Sequence, residues 1–186
     1  STLCGLFNGF LIGKLSIPPI LATLGTMIFY TGIGMALTNG ESVRIRVKGF
    51  SRLSSRTLVE IPYIFILLVI AFIVISFILS KTKFGREIYM VGQNPITLKF
   101  SGGDPEKILI KTYALIGFLV GISALIIISR VNSARMGFGD TYQLQAILVA
   151  VLGGIDPDGG KGNILGVALG ITVIQFLQSA FTIFQF

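Results

Sequence analysis

No charged side chain occurs between Ile61 and Ser80. A helix of that length, at about 1.5 Å per residue, matches the roughly 30 Å hydrocarbon core of a bilayer. Thr112 to Ser129, Leu15 to Gly40 and Gly162 to Phe186 are likewise free of charge. Hydrophobic residues make up 53% of the 186 and charged residues only 12%. A water-soluble domain of this size needs more polar surface than that composition supplies. The chain reads as an all-α, polytopic membrane protein, a multi-helix bundle forming one membrane domain over residues 1–186. It starts inside one apolar segment and stops inside another, so the expectation is a fragment of a longer protein; the alternative is a small natural membrane protein.

Several chemistries are disfavoured at once. There is no histidine, which removes the commonest general base and metal ligand. Cys4 is the single cysteine, so neither a disulfide framework nor a cysteine metal cluster can form within the chain. No cofactor is implied. The net charge of +7 is read as loops facing lipid headgroups and the cytoplasm, not as nucleic-acid binding.

Six apolar segments emerge. The first, Leu3 to Leu15, carries Gly5, Gly9 and Gly13 at four-residue spacing, a ridge that lets another helix approach closely. Pro18-Pro19 breaks it. The second runs from about Ile20 to Thr38 and ends at Asn39-Gly40, which is turn chemistry. A basic loop, Glu41 to Glu60, holds Arg44, Arg46, Lys48, Arg52 and Arg56. The third begins near Pro62 and runs to Ser80; it is rich in Ile, Val, Leu and Phe, as a lipid-facing helix is. A cytoplasmic loop is expected from Lys81 to about Lys107. The fourth segment runs from Pro105 to about Ser129, with Asp104 as N-cap. The fifth, Tyr142 to Leu152, is too short to span and reads as a half-helix or re-entrant piece, tolerated only inside protein or beside a water-filled path. The sixth runs from Ile164 to Phe186. Lys81, Lys83 and Arg86 directly follow a helix end, so the positive-inside bias places Lys81 to Lys111 in the cytoplasm and Glu41 to Glu60 outside.

The stretch "MVGQNPITLKFSGGDPEKILIK", Met90 to Lys111, is punctuated as no simple loop would be. Asn94-Pro95 is an N-cap followed by a first-turn proline. Thr97, Leu98 and Phe100 suit a short amphipathic helix, ended by Ser101-Gly102-Gly103. The product is a short helix along the membrane face, joined tightly to a spanning helix. It can be a mechanical linkage to a soluble partner or an interfacial helix resting on headgroups.

"GGIDPDGGKGN", Gly153 to Asn163, imitates a phosphate-binding loop, but the register fails. Gly160 intervenes before Lys161, and Gly162 stands where Ser or Thr belongs. Asp156 and Asp158 are too few for a metal site. The expectation is a tight reversal. Tyr142, Gln143 and Gln145 open the half-helix with neutral donors and acceptors that suit a sugar's hydroxyls, so they are candidate path residues; they can equally satisfy backbone at a helix end. Gln175 and Gln178 lie one turn apart in the sixth segment and are expected to face protein. No acidic residue sits in the membrane core of the second, third, fourth or sixth segment, which argues against an ion-coupled carrier. Such a carrier, and a structural membrane anchor, remain the rival readings.

Three stretches, "GLFNGFLIGKLSIPPILATLGTM", "KTKFGREIYMVGQNP" and "YQLQAILVAVLGGIDPDGGKGNILGVALG", together with the punctuated segment, resemble permease subunits of ABC importers. The resemblance is to the branch that carries simple sugars such as ribose and xylose, and autoinducer-2. It covers nearly the whole chain and implies a longer permease, truncated here at both ends. It also implies a second permease subunit, identical or related, a separate ATP-binding cassette ATPase that hydrolyses the ATP, and a periplasmic or lipid-anchored sugar-binding protein. By position, Gly92 to Gly103 would be the element that docks the ATPase, with Gly92, Asn94, Pro95, Leu98, Gly102 and Gly103 as its coupling residues. Gly102-Gly103 departs from the single glycine plus apolar residue usual at that point.

Overall fold

The computed structural model describes residues 1–44, 57–58, 61–157 and 159–184. Most of the basic loop, including Arg46, Lys48, Arg52 and Arg56, lies outside the described residues, as do Asp158 and the last two residues of the sixth segment. Eight helices make up about three-quarters of the described chain: α1 (Thr2–Gly13), α2 (Pro19–Thr38), α3 (Tyr63–Lys81), α4 (Lys83–Gln93), α5 (Pro95–Phe100), α6 (Pro105–Val131), α7 (Asp140–Leu152) and α8 (Ile164–Phe184). Four of them, α2, α3, α6 and α8, are long and apolar enough to cross a membrane. The architecture is the all-α, multi-pass one expected.

Two antiparallel pairs of two-residue strands complete it. β1 (Val43–Arg44) pairs with β4 (Ser133–Ala134), with Val43 opposite Ala134. β2 (Thr57–Leu58) pairs with β3 (Ile61–Pro62). The first pair ties the chain just after α2 to the chain just after α6. Both helices end in left-handed residues, Asn39 and Asn132, whose backbone N–H groups close the last turns on Met35 and Ile128.

The most extensive helix pairing is α1 with α6, and the glycine ridge is its cause. A methyl group added at Gly9 would lie 2.7 Å from the Ile110 Cα, and one at Gly13 would lie 3.0 Å from the Glu106 carbonyl oxygen. On the facing side, one at Gly117 would lie 2.9 Å from the Gly5 Cα. Side chains at these positions would hold the backbones apart. By contrast α3 buries none of its residues, as a helix facing lipid or further helices does.

One expectation is corrected. Residues 81–107 are not mainly loop. Lys83–Gln93 is a helix of 11 residues, started by Thr82, whose Oγ1 accepts from the Gly85 N–H at 3.1 Å. The charges of Lys83, Arg86 and Glu87 concealed it. Phe84, Ile88 and Val91 recur at helical spacing and pack into one apolar cluster with Leu98, Ile108 and Leu109.

The polypeptide therefore alternates between two faces. α4 and α5 lie on one face, with the ends of α1 and α3 and the start of α6. The β1–β4 pair lies on the other. α7 does not double back to the face it comes from. It follows β4 on one face, and the loop after it rests on α4 at the opposite face: a methyl group added at Gly92 would lie 2.9 Å from the Gly160 Cα. Residues 133–152 thus lead from one face to the other, with β4 and an irregular stretch first and the 13-residue half-helix α7 after it.

Candidate coupling site

Asn94 is the hinge between α4 and α5 and belongs to both. It closes α4 through its backbone N–H on the Met90 carbonyl at 2.9 Å. It opens α5 as N-cap, its Oδ1 accepting from the Ile96 N–H at 2.8 Å, with Pro95 in the first turn. Proline costs nothing there, because its missing N–H would have had no partner within the helix.

A helix of one and a half turns has little stability of its own. α5 is held by Leu98, only 2% exposed, which enters the cluster of Val91 and Ile108. Removing such a side chain from water stabilises by about 1.5–3 kcal/mol. The other apolar residues point away: Ile96 is 62% and Phe100 89% exposed. They stand four apart, one turn of helix, and form an apolar knob projecting from the protein.

The turn leaving α5 is fully hydrogen-bonded. Ser101 N–H reaches the Thr97 carbonyl at 3.1 Å, Gly102 N–H the Lys99 carbonyl at 3.1 Å, and Gly103 N–H the Leu98 carbonyl at 3.0 Å. Gly102 has φ +79°, where a side chain is strained. Gly103 lies flat on Leu98, whose Cγ would be 2.7 Å from an added methyl. Asp104 then caps α6, accepting from the Lys107 N–H at 3.4 Å and pairing with the Lys107 ammonium at 2.9 Å. The Lys107 side chain, and after it the Lys107 backbone N–H, hold the Asp104 carboxyl below its ordinary range.

The structure brings Asn94, Pro95, Leu98, Gly102 and Gly103 together as one unit. Gly92 belongs to a neighbouring contact, against Gly160. The candidate path residues stand apart, in the first turns of α7: Tyr142 is 54% exposed, Gln143 is exposed and Gln145 half-buried. Two clefts flank the α5 unit and neither is lined by these three residues. Among the described residues no group of acidic, cysteine or histidine side chains could hold a metal. Sequence reasoning missed Ile96 as half of the knob, and missed Tyr89 and Gln93, which hydrogen-bond to the glycine-rich loop. The four-residue spacing of Ile96 and Phe100 was the available signal for the knob. The loop contact leaves none, because its acceptors are backbone carbonyls.

A profile of the family described as branched-chain amino acid transport system / permease component matches residues 1–186. The ribose import permease protein RbsC of Bacillus subtilis is 34% identical over 92% of this chain and 54% of its own length. The autoinducer 2 import system permease protein LsrD of Yersinia enterocolitica is 31% identical over 95% of this chain and 55% of its own. The galactose/methyl galactoside import permease protein MglC of Haemophilus influenzae is 30% identical over 96% of this chain and 55% of its own. The chain thus spans about half the length of the curated relatives it matches. No solved structure matches. With the profile covering every residue, the chain belongs to the branched-chain amino acid transport system permease family.

Proposed function

We propose that this chain is part of the permease subunit of an ATP-driven importer that carries a simple sugar or sugar-like signal across the inner membrane. The observation that carries the reading is the anchored knob. α5 is fastened through Leu98 and a hydrogen-bonded turn to α6, yet it turns Ile96 and Phe100 outward. An apolar knob rigidly joined to a membrane helix is what a soluble motor needs to push on. The lysines after α3 favour the cytoplasm for that face, by the positive-inside bias. ATP hydrolysis then belongs to a separate cassette ATPase docked on α5. Delivery from outside belongs to a periplasmic or lipid-anchored binding protein, and a second permease subunit, identical or related, completes the path.

The relatives named for ribose, autoinducer 2 and galactose import support a sugar-like cargo. The chemistry agrees. An amino acid carries an ammonium and a carboxylate, whereas Tyr142, Gln143 and Gln145 offer only neutral donors and acceptors, matched to hydroxyls.

The test is to purify the complete native protein in mild detergent and identify what accompanies it. A cassette ATPase should co-purify, and the double variant Ile96→Ala/Phe100→Ala should release it while the permease stays folded. Transport at wild-type rates and unchanged ATPase association in that variant would overturn the assignment of α5. Transport by the purified permease alone, driven by an ion gradient, would overturn the importer reading.

A further inference from the structure

We infer that the glycine-rich loop between α7 and α8 is a second mechanical linkage, which clasps the end of α4 and carries the movement of the α4–α5 unit to the half-helix α7. The inference rests on the coupling role proposed for α5.

The contact is backbone on backbone. Gly92, in the last turn of α4, meets Gly159 and Gly160 so closely that an added methyl would lie 2.9 Å from the Gly160 Cα. From the other side, a methyl on Gly160 would lie 2.7 Å from the Gln93 N. Gly160 has φ +76°, so a side chain there is both crowded and strained. Two hydrogen bonds flank the glycines. Gln93 Nε2 donates to the Gly160 carbonyl at 3.2 Å, and the Tyr89 hydroxyl donates to the Gly162 carbonyl at 3.4 Å.

The loop's described residues are tied to one another by backbone hydrogen bonds. Asp156 N–H reaches the Lys161 carbonyl at 3.1 Å and Gly159 N–H the Asp156 carbonyl at 3.0 Å. Asn163 Oδ1 accepts from the Leu165 N–H at 3.0 Å at the start of α8. Behind the loop, α7 and α8 are seated backbone to backbone: a methyl at Gly153 would lie 2.7 Å from the Val167 Cα. The route is continuous. It runs from α5 through the shared Asn94 to the end of α4, across Gly92 and Gly160 into the loop, and along α7 to Tyr142, Gln143 and Gln145. Coupling between distant sites is carried by such contiguous chains of packed groups and hydrogen bonds where they have two discrete arrangements. α6 is the other output of α5, so the motor would grip two crossings at once.

The test uses the complete transporter, with its ATPase and binding protein, reconstituted in vesicles. Gly160→Ala should leave ATPase association and basal hydrolysis at wild-type level and lower substrate transported per ATP by about fivefold or more, the range of ordinary coupling energies. Gln93→Met combined with Tyr89→Phe, which removes the hydrogen bonds without crowding, should lower the same ratio in the same direction. That pair decides the matter if Gly160→Ala fails to assemble. An unchanged ratio in the assembled Gly160→Ala transporter, or in the pair where Gly160→Ala does not assemble, overturns the linkage. Loss of the α5 reading would look different: the wild-type protein itself would bind no ATPase.

Discussion

Leu98 and Phe100 stand two residues apart in one short helix with opposite fates, 2% and 89% exposed. Leu98→Ala should therefore destabilise the seat of α5 by about 2–5 kcal/mol, read as faster hydrogen exchange at Ser101 and Gly103, whose amides close the turn. Asn94→Ala should weaken the start of α5 by about 1 kcal/mol, and Asn94→Ser should restore it; the Ile96 amide reports both. Asp104 gives a pH dependence whose sign follows from its lowered pKa. Its cap is complete above the ordinary carboxylate range, survives as pH falls through that range, and is lost only when pH falls through the lowered value. The Lys107 amide shift, followed by NMR through an acid titration, should show that late step, and Asp104→Asn should abolish it. Both caps were legible in the sequence, because Asn-Pro and Asp-Pro each combine an acceptor with a residue that can only begin a helix. The direction of Leu98 was not, since in six residues the four-residue spacing of Ile96 and Phe100 is the one cue to a face and does not say which side is buried.

At the level of elements, α1 and α6 hold together through glycines, so bulk in the seam should be punished. Gly9→Leu should destabilise the pairing by about 1–3 kcal/mol or more, because the Ile110 backbone cannot retreat as a side chain would. A lower melting temperature of the purified protein in detergent checks it. The ridge announced itself in the sequence as three glycines at four-residue spacing, yet nothing in it named α6 as the partner. α4 is the opposite case. Its apolar face of Phe84, Ile88 and Val91 was written at helical spacing, but the interleaved charges gave it the look of a loop.

For the molecule as a whole, the alternation of crossings has a definite consequence for sidedness. In a Cys4→Ser background, a cysteine at Phe100 should react with a membrane-impermeant thiol reagent only from the cytoplasmic side. One at Glu41 should react only from outside. The reverse pattern would invert the orientation. The crossings themselves were legible as uncharged runs, but the clasp of Gly160 on Gly92 was not, because glycines mark a possible close approach without naming its partner. The α1–α6 seam also imposes a timetable. Gly5 and its partner Gly117 are separated by more than a hundred residues, and a ribosome adding about 5–20 residues per second needs on the order of ten seconds to cover them. Throughout that interval the glycine face of α1 has no α6 to meet. The seam is thus a late event of biosynthesis, its timing set by the length of chain between its two sides.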